Sequence, residues 1–333
     1  MDVSGLGEFG LIERLRRALP PAGDRLAIGI GDDAAAWRSG AAFTLATTDT
    51  LVAGVHFLPG RVAWHDVGWK ALAVNLSDIA AMGGRPTFAL VTLLLPPQTP
   101  VEHVDEIYAG LAACARQYGV AIAGGDIVAS PVLAITVALA GDADGAPDLL
   151  RRDAARPGDA IAVTGPLGGS AAGLYALQHD LDAARPEVRD AIARHARPRP
   201  CMAEGLAAVR AGVRCGIDVS DGLVQDLGHV CEASGCGAEL IDVPIDPALA
   251  ALAASGAVDS DAAFAMAAGG GEDYELLLIA PAAAIARVRE QHAGVRVIGR
   301  IVAEPRRVRV LRDGVETALP VRGWDHLRAE PAP

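Results

Sequence analysis

A mixed α/β fold in two domains is what this sequence predicts, and three observations predict it. At about 150 residues per domain, a chain of 333 residues has room for two. Strand-like and helix-like patterns alternate from about residue 26 to about residue 310, which favours sheets with helices over a bundle or a sandwich. Gly141-Asp142-Ala143-Asp144-Gly145-Ala146-Pro147 reads as a linker, so an N-terminal domain is expected over 1–145 and a C-terminal one over 146–333.

The elements follow in order. Residues 26–30 and 43–48 read as strands. Residues 66–82 read as a helix that Gly83-Gly84 and Pro86 stop. A strand over 88–95 leads to Thr99-Pro100-Val101-Glu102, whose capping-box spacing opens a helix to about Tyr118. Strands over 120–123 and 132–140 complete the first set. Beyond the linker, a strand over 160–164 runs into a Gly-rich turn and a helix, a turn that would suit a phosphate at a helix N-terminus as well as a tight connection. Further strands are expected over 216–219, 238–241, 274–279 and 295–301, with short helices broken by Gly256 in the Ala-rich stretch 248–268.

Composition removes several classes of function. The hydrophobic fraction of 51% and charged fraction of 21% exclude a disordered chain. With 29 basic and 41 acidic residues, the net charge of -12 argues against nucleic acid or an anionic membrane as partner. Lys70 is the only lysine, and its Trp69-Lys70-Ala71 context cannot form the G-x-x-x-x-G-K-S/T phosphate loop or a protein-kinase lysine site. Five cysteines without a C-x-x-C fit neither a disulfide framework nor a thiolate zinc site. No apolar signal core opens the chain and no apolar run reaches the length of about 20 residues that a membrane helix needs, so a cytoplasmic location is expected.

Acidic residues recur beside small ones where strands are expected to end: Gly31-Asp32-Asp33, Thr48-Asp49-Thr50, Gly124-Gly125-Asp126, Asp218-Val219-Ser220-Asp221-Gly222 and Gly270-Gly271-Glu272-Asp273. Asp78 adds another on a helix. A single such motif is more often a turn or a helix cap. Together, at the carboxyl ends of strands, they could converge on one cleft. Two carboxylates about 4 Å apart repel by roughly 4 kcal/mol at an effective dielectric of about 20. Such a cluster protonates, spreads or holds cations, and Mg2+, bound through oxygen and completed by phosphates and water, is the natural cation. Spacing alone therefore leads to a divalent-metal and phosphate site.

Longer motifs carry a resemblance. Gly7-Glu8-Phe9, Gly29-Ile30-Gly31-Asp32-Asp33, Thr48-Asp49-Thr50-Leu51-Val52 with His56-Phe57, the run from Lys70 to Gly83, Gly124-Gly125-Asp126, Arg156-Pro157-Gly158-Asp159, Asp218-Val219-Ser220-Asp221-Gly222-Leu223 and Gly270-Gly271-Glu272-Asp273-Tyr274-Glu275 together resemble the thiamine-monophosphate kinase family. The resemblance runs from residue 7 to about residue 326. It implies an aminoimidazole ribonucleotide synthetase-like fold: a dimerising N-terminal α/β domain, a C-terminal α/β domain, and ATP held in a cleft with several Mg2+ ions. By similarity, Asp33, Thr47, Thr48, Asp49, Asp78, Asp126, Asp218 and Asp221 map onto metal ligands. Gly125, Asp126, Arg152 and Ser220 map onto ATP contacts, and His56, Glu272 and Trp324 onto contacts to thiamine monophosphate.

The implied reaction is transfer of the ATP γ-phosphoryl group to thiamine monophosphate in a homodimer, with no protein base or nucleophile. The alternatives are another ATP-using member of the superfamily, such as a selenophosphate or aminoimidazole ribonucleotide synthetase, and a non-catalytic sensor of nucleotide or thiamine phosphate.

Overall fold

A computed structural model describes residues 10, 12–13, 26–39, 42–145, 149–305, 307–312 and 315–317, and two mixed sheets carry the chain through them. The first contains β1 (Leu26–Ile28), β2 (Ala35–Ser39), β3 (Ala42–Val52), β4 (Arg85–Leu95), β5 (Ala121–Ala129) and β6 (Ala134–Ala143). Their spatial order is β1-β2-β3-β6-β4-β5. Among the described residues β4 and β5 form its parallel pair, and the other neighbours are antiparallel. On β3 the side chains of Phe43, Leu45 and Leu51 are buried while Thr48 and Thr50 are exposed, the period-2 alternation of a strand with one covered face.

Two helices belong to this half, α1 (Trp64–Ala81) and α2 (Val101–Tyr118). They cross in backbone contact at a pair of glycines. A Cβ on Gly68 would lie 1.9 Å from the Ile107 carbonyl oxygen, and one on Gly110 would lie 1.8 Å from that of His65. Only a residue without a side chain permits that approach.

The second sheet comprises β7 (Ala160–Val163), β8 (Cys215–Asp218), β9 (Gly237–Leu240), β10 (Leu276–Ala280), β11 (Arg296–Val302), β12 (Val308–Arg312) and β13 (Val315–Glu316). Their order is β13-β12-β9-β11-β7-β10-β8. Around it lie α3 (Gly169–Gln178), α4 (Pro186–Ala196), α5 (Met202–Arg210), α6 (Leu223–Ser234), α7 (Pro247–Ala254), α8 (Ser260–Gly269) and α9 (Ala282–Gln291). β10, Leu-Leu-Leu-Ile-Ala, lies between β7 and β8 and is buried at every position, as a continuous apolar run of strand length requires.

Helix α1 is the hinge of the architecture. It is buried almost all round and packs against β3 and β6 on one side and β8 and α5 on the other. A helix that is apolar on every face belongs inside a core, and here that core lies between the two sheets.

Three expectations change. Gly124-Gly125-Asp126 lies inside β5 rather than after a strand, because β5 pairs with β4 through and beyond the glycines. The Thr99 capping box does not form: Pro100 takes the N-cap position of α2 and no side chain caps it among the described residues. The sheets are largely antiparallel, so the carboxyl ends of parallel strands do not gather the acidic motifs. β2, α4, α5, α9, β12 and β13 are further elements that the sequence patterns do not announce.

Candidate active site

A polar group on a fully buried helix must find a partner, and the polar residues of α1 find theirs in both halves of the molecule. The Asn75 amide donates to Ala71 O at 3.0 Å, and its oxygen accepts from the Asp49 backbone N–H at 3.1 Å. Ser77 Oγ donates to Asp218 Oδ2 at 2.6 Å. Asp78 Oδ2 accepts from Thr47 Oγ1 at 2.5 Å. Lys70 Nζ donates to His56 O at 3.0 Å and pairs with Glu272 Oε1 at 2.8 Å. Helix α1 thus draws β3 and β8 together over one acidic centre.

At that centre Asp33, Asp78 and Asp218 each place a carboxylate oxygen within 4.8 Å of the others. Burial, and then Asp33 and Asp49, push the Asp218 carboxyl up to about 8. Burial first, then Asp49, Asp218 and Asp33, hold Asp78 well above the usual carboxylate range. Charges that disfavour one another this strongly mark a place for protons or for cations. The donors are all hard oxygens, which fits Mg2+ and not a thiolate-seeking metal. Asp33, Asp49, Asp78 and Asp218, with Thr47 beside them, would hold it.

The rim of the centre is equally built. Arg152 Nη2 donates to Asp33 Oδ1 at 2.6 Å, and its backbone N–H reaches Asp32 Oδ2 at 3.3 Å. Burial, and then Asp33, raise the Asp32 carboxyl to about 7. After β8 the chain turns through Ser220-Asp221-Gly222, and Asp226 Oδ2 accepts the backbone N–H of all three, at 3.1, 3.1 and 3.0 Å. Asp221 also accepts from Gln225 Nε2 at 3.2 Å. The Glu272 N–H donates to Ser220 O at 2.7 Å, which joins the loop that carries Glu272 to the Ser220 turn.

On the far side of Lys70, His56 Nδ1 accepts from the Val52 N–H at 3.0 Å. A neutral ring bound in this way carries its proton on Nε2, the donor form an anionic phosphate needs. Tyr274, buried and with φ of 53°, is held well above the usual phenol range by burial and then by Glu272, Asp49, Asp218 and Asp78.

Other expected residues lie elsewhere. Asp126 is three strands from Asp49, on edge strand β5, roughly 14 Å away at about 4.8 Å per strand. Its register partners Thr92, Thr136 and Thr50 alternate with Val91, Val137 and Asp49, so it also faces the opposite side of the sheet. Gly125 lies beside it on β5. Thr48 shares that outer face and donates to Val137 O at 3.0 Å. Trp324 and Gly7-Glu8-Phe9 fall outside the described residues. The Gly-rich turn before α3 is no open phosphate site, because Asp273 already accepts from Gly168 N at 2.6 Å and Ser170 N at 3.1 Å.

Comparison with known proteins places this geometry. The model of the AIR synthase related protein N-terminal domain matches residues 31–143, and that of the C-terminal domain matches residues 156–312. Thiamine-monophosphate kinase of Escherichia coli strain K12 is 40% identical over 334 residues, covering 96% of this chain and 98% of its own. The chain belongs to the thiamine-monophosphate kinase family. The Salmonella typhimurium kinase is 39% identical over 329 residues, covering 96% of this chain and 98% of its own. The solved structure of AaThiL complexed with AMPPCP and TMP superposes with a TM-score of 0.86 at 33% identity, covering 98% of this chain and 99% of that one. The thiamine monophosphate kinase from Aquifex aeolicus gives a TM-score of 0.81 at 32% identity, over 95% of this chain and 99% of its own.

Within this kinase fold, sequence reasoning missed Lys70, Asn75, Ser77, Asp226, His195 and Tyr274 as parts of the site. The signal for the first three was present: polar residues in a helix otherwise apolar on all faces.

Proposed function

We propose that this chain transfers the γ-phosphoryl group of ATP to thiamine monophosphate, releasing thiamine diphosphate and ADP, as a Mg2+-dependent homodimeric enzyme of the cytoplasm. The observation that carries the reading is the meeting of Asp33, Asp78 and Asp218 between the two halves of a chain similar over its length to these kinases.

An oxygen of the acceptor phosphate attacks Pγ, and the bond from Pγ to the bridging oxygen breaks, leaving with ADP. A phosphate monoester with a second pKa near about 6 is largely dianionic at pH 7, so no protein base has to remove a proton. Positioning and neutralisation of charge then carry the catalysis. Mg2+ held by Asp33, Asp49, Asp78 and Asp218 would supply that neutralisation.

In this reading Asp33, Thr47, Thr48, Asp49, Asp78, Asp126, Asp218 and Asp221 hold metal. Gly125, Asp126, Arg152 and Ser220 meet ATP, and His56, Glu272 and Trp324 meet the acceptor. The Ser220-Asp221-Gly222 turn is kept in shape by Asp226, and Arg152 is held at the mouth by Asp33. The His56 ring, its Nδ1 taken by the Val52 N–H, faces the acceptor phosphate.

A homodimer accounts for two features together. The outer face of the first sheet exposes Phe88 at 59% and Leu90 at 53%, an apolar surface that a second copy would cover. Asp126 and Gly125 stand at the edge of the same sheet, where a single chain leaves them away from the acidic centre. Sedimentation across a dilution series tests the assembly, with a two-chain species expected. The five cysteines are free and buried, which suits a reducing compartment. No helix among the described residues is long and apolar enough to cross a membrane.

The deciding experiment is a coupled ADP-release assay with thiamine, thiamine monophosphate and aminoimidazole precursors. ADP should appear only with thiamine monophosphate and in step with thiamine diphosphate. Release with an aminoimidazole precursor instead would move the chain to a different reaction, and nucleotide binding without turnover would make it a sensor.

A further inference from the structure

The sole lysine of the chain is spent on a buried contact. Lys70 is 1% exposed, and its Nζ is shared between the His56 carbonyl oxygen at 3.0 Å and Glu272 Oε1 at 2.8 Å. Arginine carries the other permanent side-chain cations. A compact ammonium with three tetrahedral donors can serve two acceptors on different segments in a space that a planar guanidinium would not fit.

Glu272 is also held from its other side. His195, on α4, places Nδ1 3.3 Å from Glu272 Oε2 and 3.0 Å from Ser170 Oγ. The ring is 2% exposed, and its Nε2 has no hydrogen-bond partner among the described residues. Its orientation therefore serves Nδ1 at the expense of Nε2. Burial, and then Lys70, lower its basicity to about 4, so it is neutral beside the carboxylate. Glu272 itself has φ of 67°, a left-handed backbone that a side-chain-bearing residue seldom adopts outside functional sites.

We infer that Lys70 and His195 are positioning residues of the acceptor site: they clamp the Glu272 carboxylate from both sides and lock it to the His56 loop. The inference rests on the reading of His56 and Glu272 as acceptor contacts. Lys70 lies on α1, in the half that carries His56, while Glu272 and His195 lie in the other half, so the clamp fixes the distance across which the acceptor is held. A carboxylate has about four acceptor positions; Lys70 takes one on Oε1 and the His195 ring, hydrogen-bonded to Ser170, bounds the Oε2 side, leaving the rest for the acceptor's polar ring atoms.

The test uses the full chain with Lys70→Met, His195→Leu, Glu272→Gln and the Lys70→Met/Glu272→Gln double variant. Steady-state KM is measured for each substrate, with calorimetric binding of Mg-ATP. Lys70→Met should raise the KM for thiamine monophosphate about tenfold or more, because it strips the buried ammonium partner from the half-buried Glu272 carboxylate. The KM for ATP should stay within about twofold, since nothing in the clamp touches the Ser220 turn through a side chain. The double variant should be no worse than Glu272→Gln alone, and His195→Leu should shift the same KM in the same direction. If Lys70→Met does not fold, the double variant removes the unpaired charge and carries the test with His195→Leu. Equal increases in both KM values, or effects of Lys70→Met and Glu272→Gln that multiply, would overturn the inference. A wild-type chain inactive on thiamine monophosphate would instead overturn the functional reading beneath it.

Discussion

Ser77 Oγ donates a 2.6 Å hydrogen bond to Asp218 Oδ2, so the central helix grips the last residue of β8 from the neighbouring half. That bond opposes only part of what burial, Asp33 and Asp49 do to the Asp218 carboxyl. The side chain proposed to hold a metal is thus an electrostatic load on the metal-free fold.

Asp218→Asn should separate those two roles. The amide keeps the shape and can still accept from Ser77, but adds no negative charge. Turnover at ordinary Mg2+ should fall by about a hundredfold or more, since a hard cation loses an anionic oxygen ligand. At neutral pH the metal-free variant should be more stable than the metal-free parent, by about 1 kcal/mol or more, because an amide, unlike the Asp218 carboxyl, needs no proton taken up to stay buried. Thermal melts in chelator beside a turnover assay check both halves, and an unchanged rate would remove Asp218 from the metal set.

The pH dependence of the metal-free fold follows from the same carboxyl. The folded chain keeps a proton on Asp218 up to about 8, whereas in the unfolded chain it leaves near the ordinary 3.8. Between those values the unfolded state binds fewer protons, so stability falls as pH rises and levels off above the folded value. Asp78 is displaced in the same direction. With saturating Mg2+ the carboxylates are held ionised, and the stabilisation that the ion confers should grow from pH 5 to pH 8. Melting curves in chelator and in Mg2+ across that range check it, and parallel curves would reject it.

Asp226 gathers three backbone N–H groups on one oxygen. Asp226→Ala should leave those donors without their acceptor and cost about 1–3 kcal/mol, the range for leaving buried polar groups unsatisfied. Its functional mark should be a KM for ATP raised about tenfold with the acceptor KM little changed. That split is opposite to the one expected at Lys70, and both can be read in one assay.

The acidic motifs were legible because they recur together beside small residues where one alone would be an ordinary turn, and Asp33, Asp49, Asp78 and Asp218 do meet. The reason for their meeting was not legible. It lies in Asn75, Ser77 and Asp78, which tether a helix that is apolar everywhere else, and helix periodicity alone cannot say which of two sheets each will face. The end of β5 was misread for a local reason: the two glycines of Gly124-Gly125-Asp126 look like the end of a strand, yet β5 runs through them. Asp226 looks like any solvated helix residue until the chain ahead of it folds back over its carboxylate.

The last expectation sets two glycines against each other. A Cβ on Gly125 would lie 1.7 Å from the Val91 carbonyl oxygen, which belongs to the neighbouring strand and cannot yield without breaking the β4–β5 pairing. Gly125→Ala should therefore cost about 3 kcal/mol, at the upper end for overpacking, and displace the edge strand that carries Asp126. Gly228, inside α6, has nothing within 4 Å of an added Cβ and no left-handed backbone to strain. Gly228→Ala should stabilise the fold by about 0.5–1 kcal/mol through higher helix propensity and a less flexible unfolded chain. Chemical denaturation of the two variants reads the opposite signs directly. A Gly125→Ala chain as stable as its parent would mean that β5 is not held against β4 in this register.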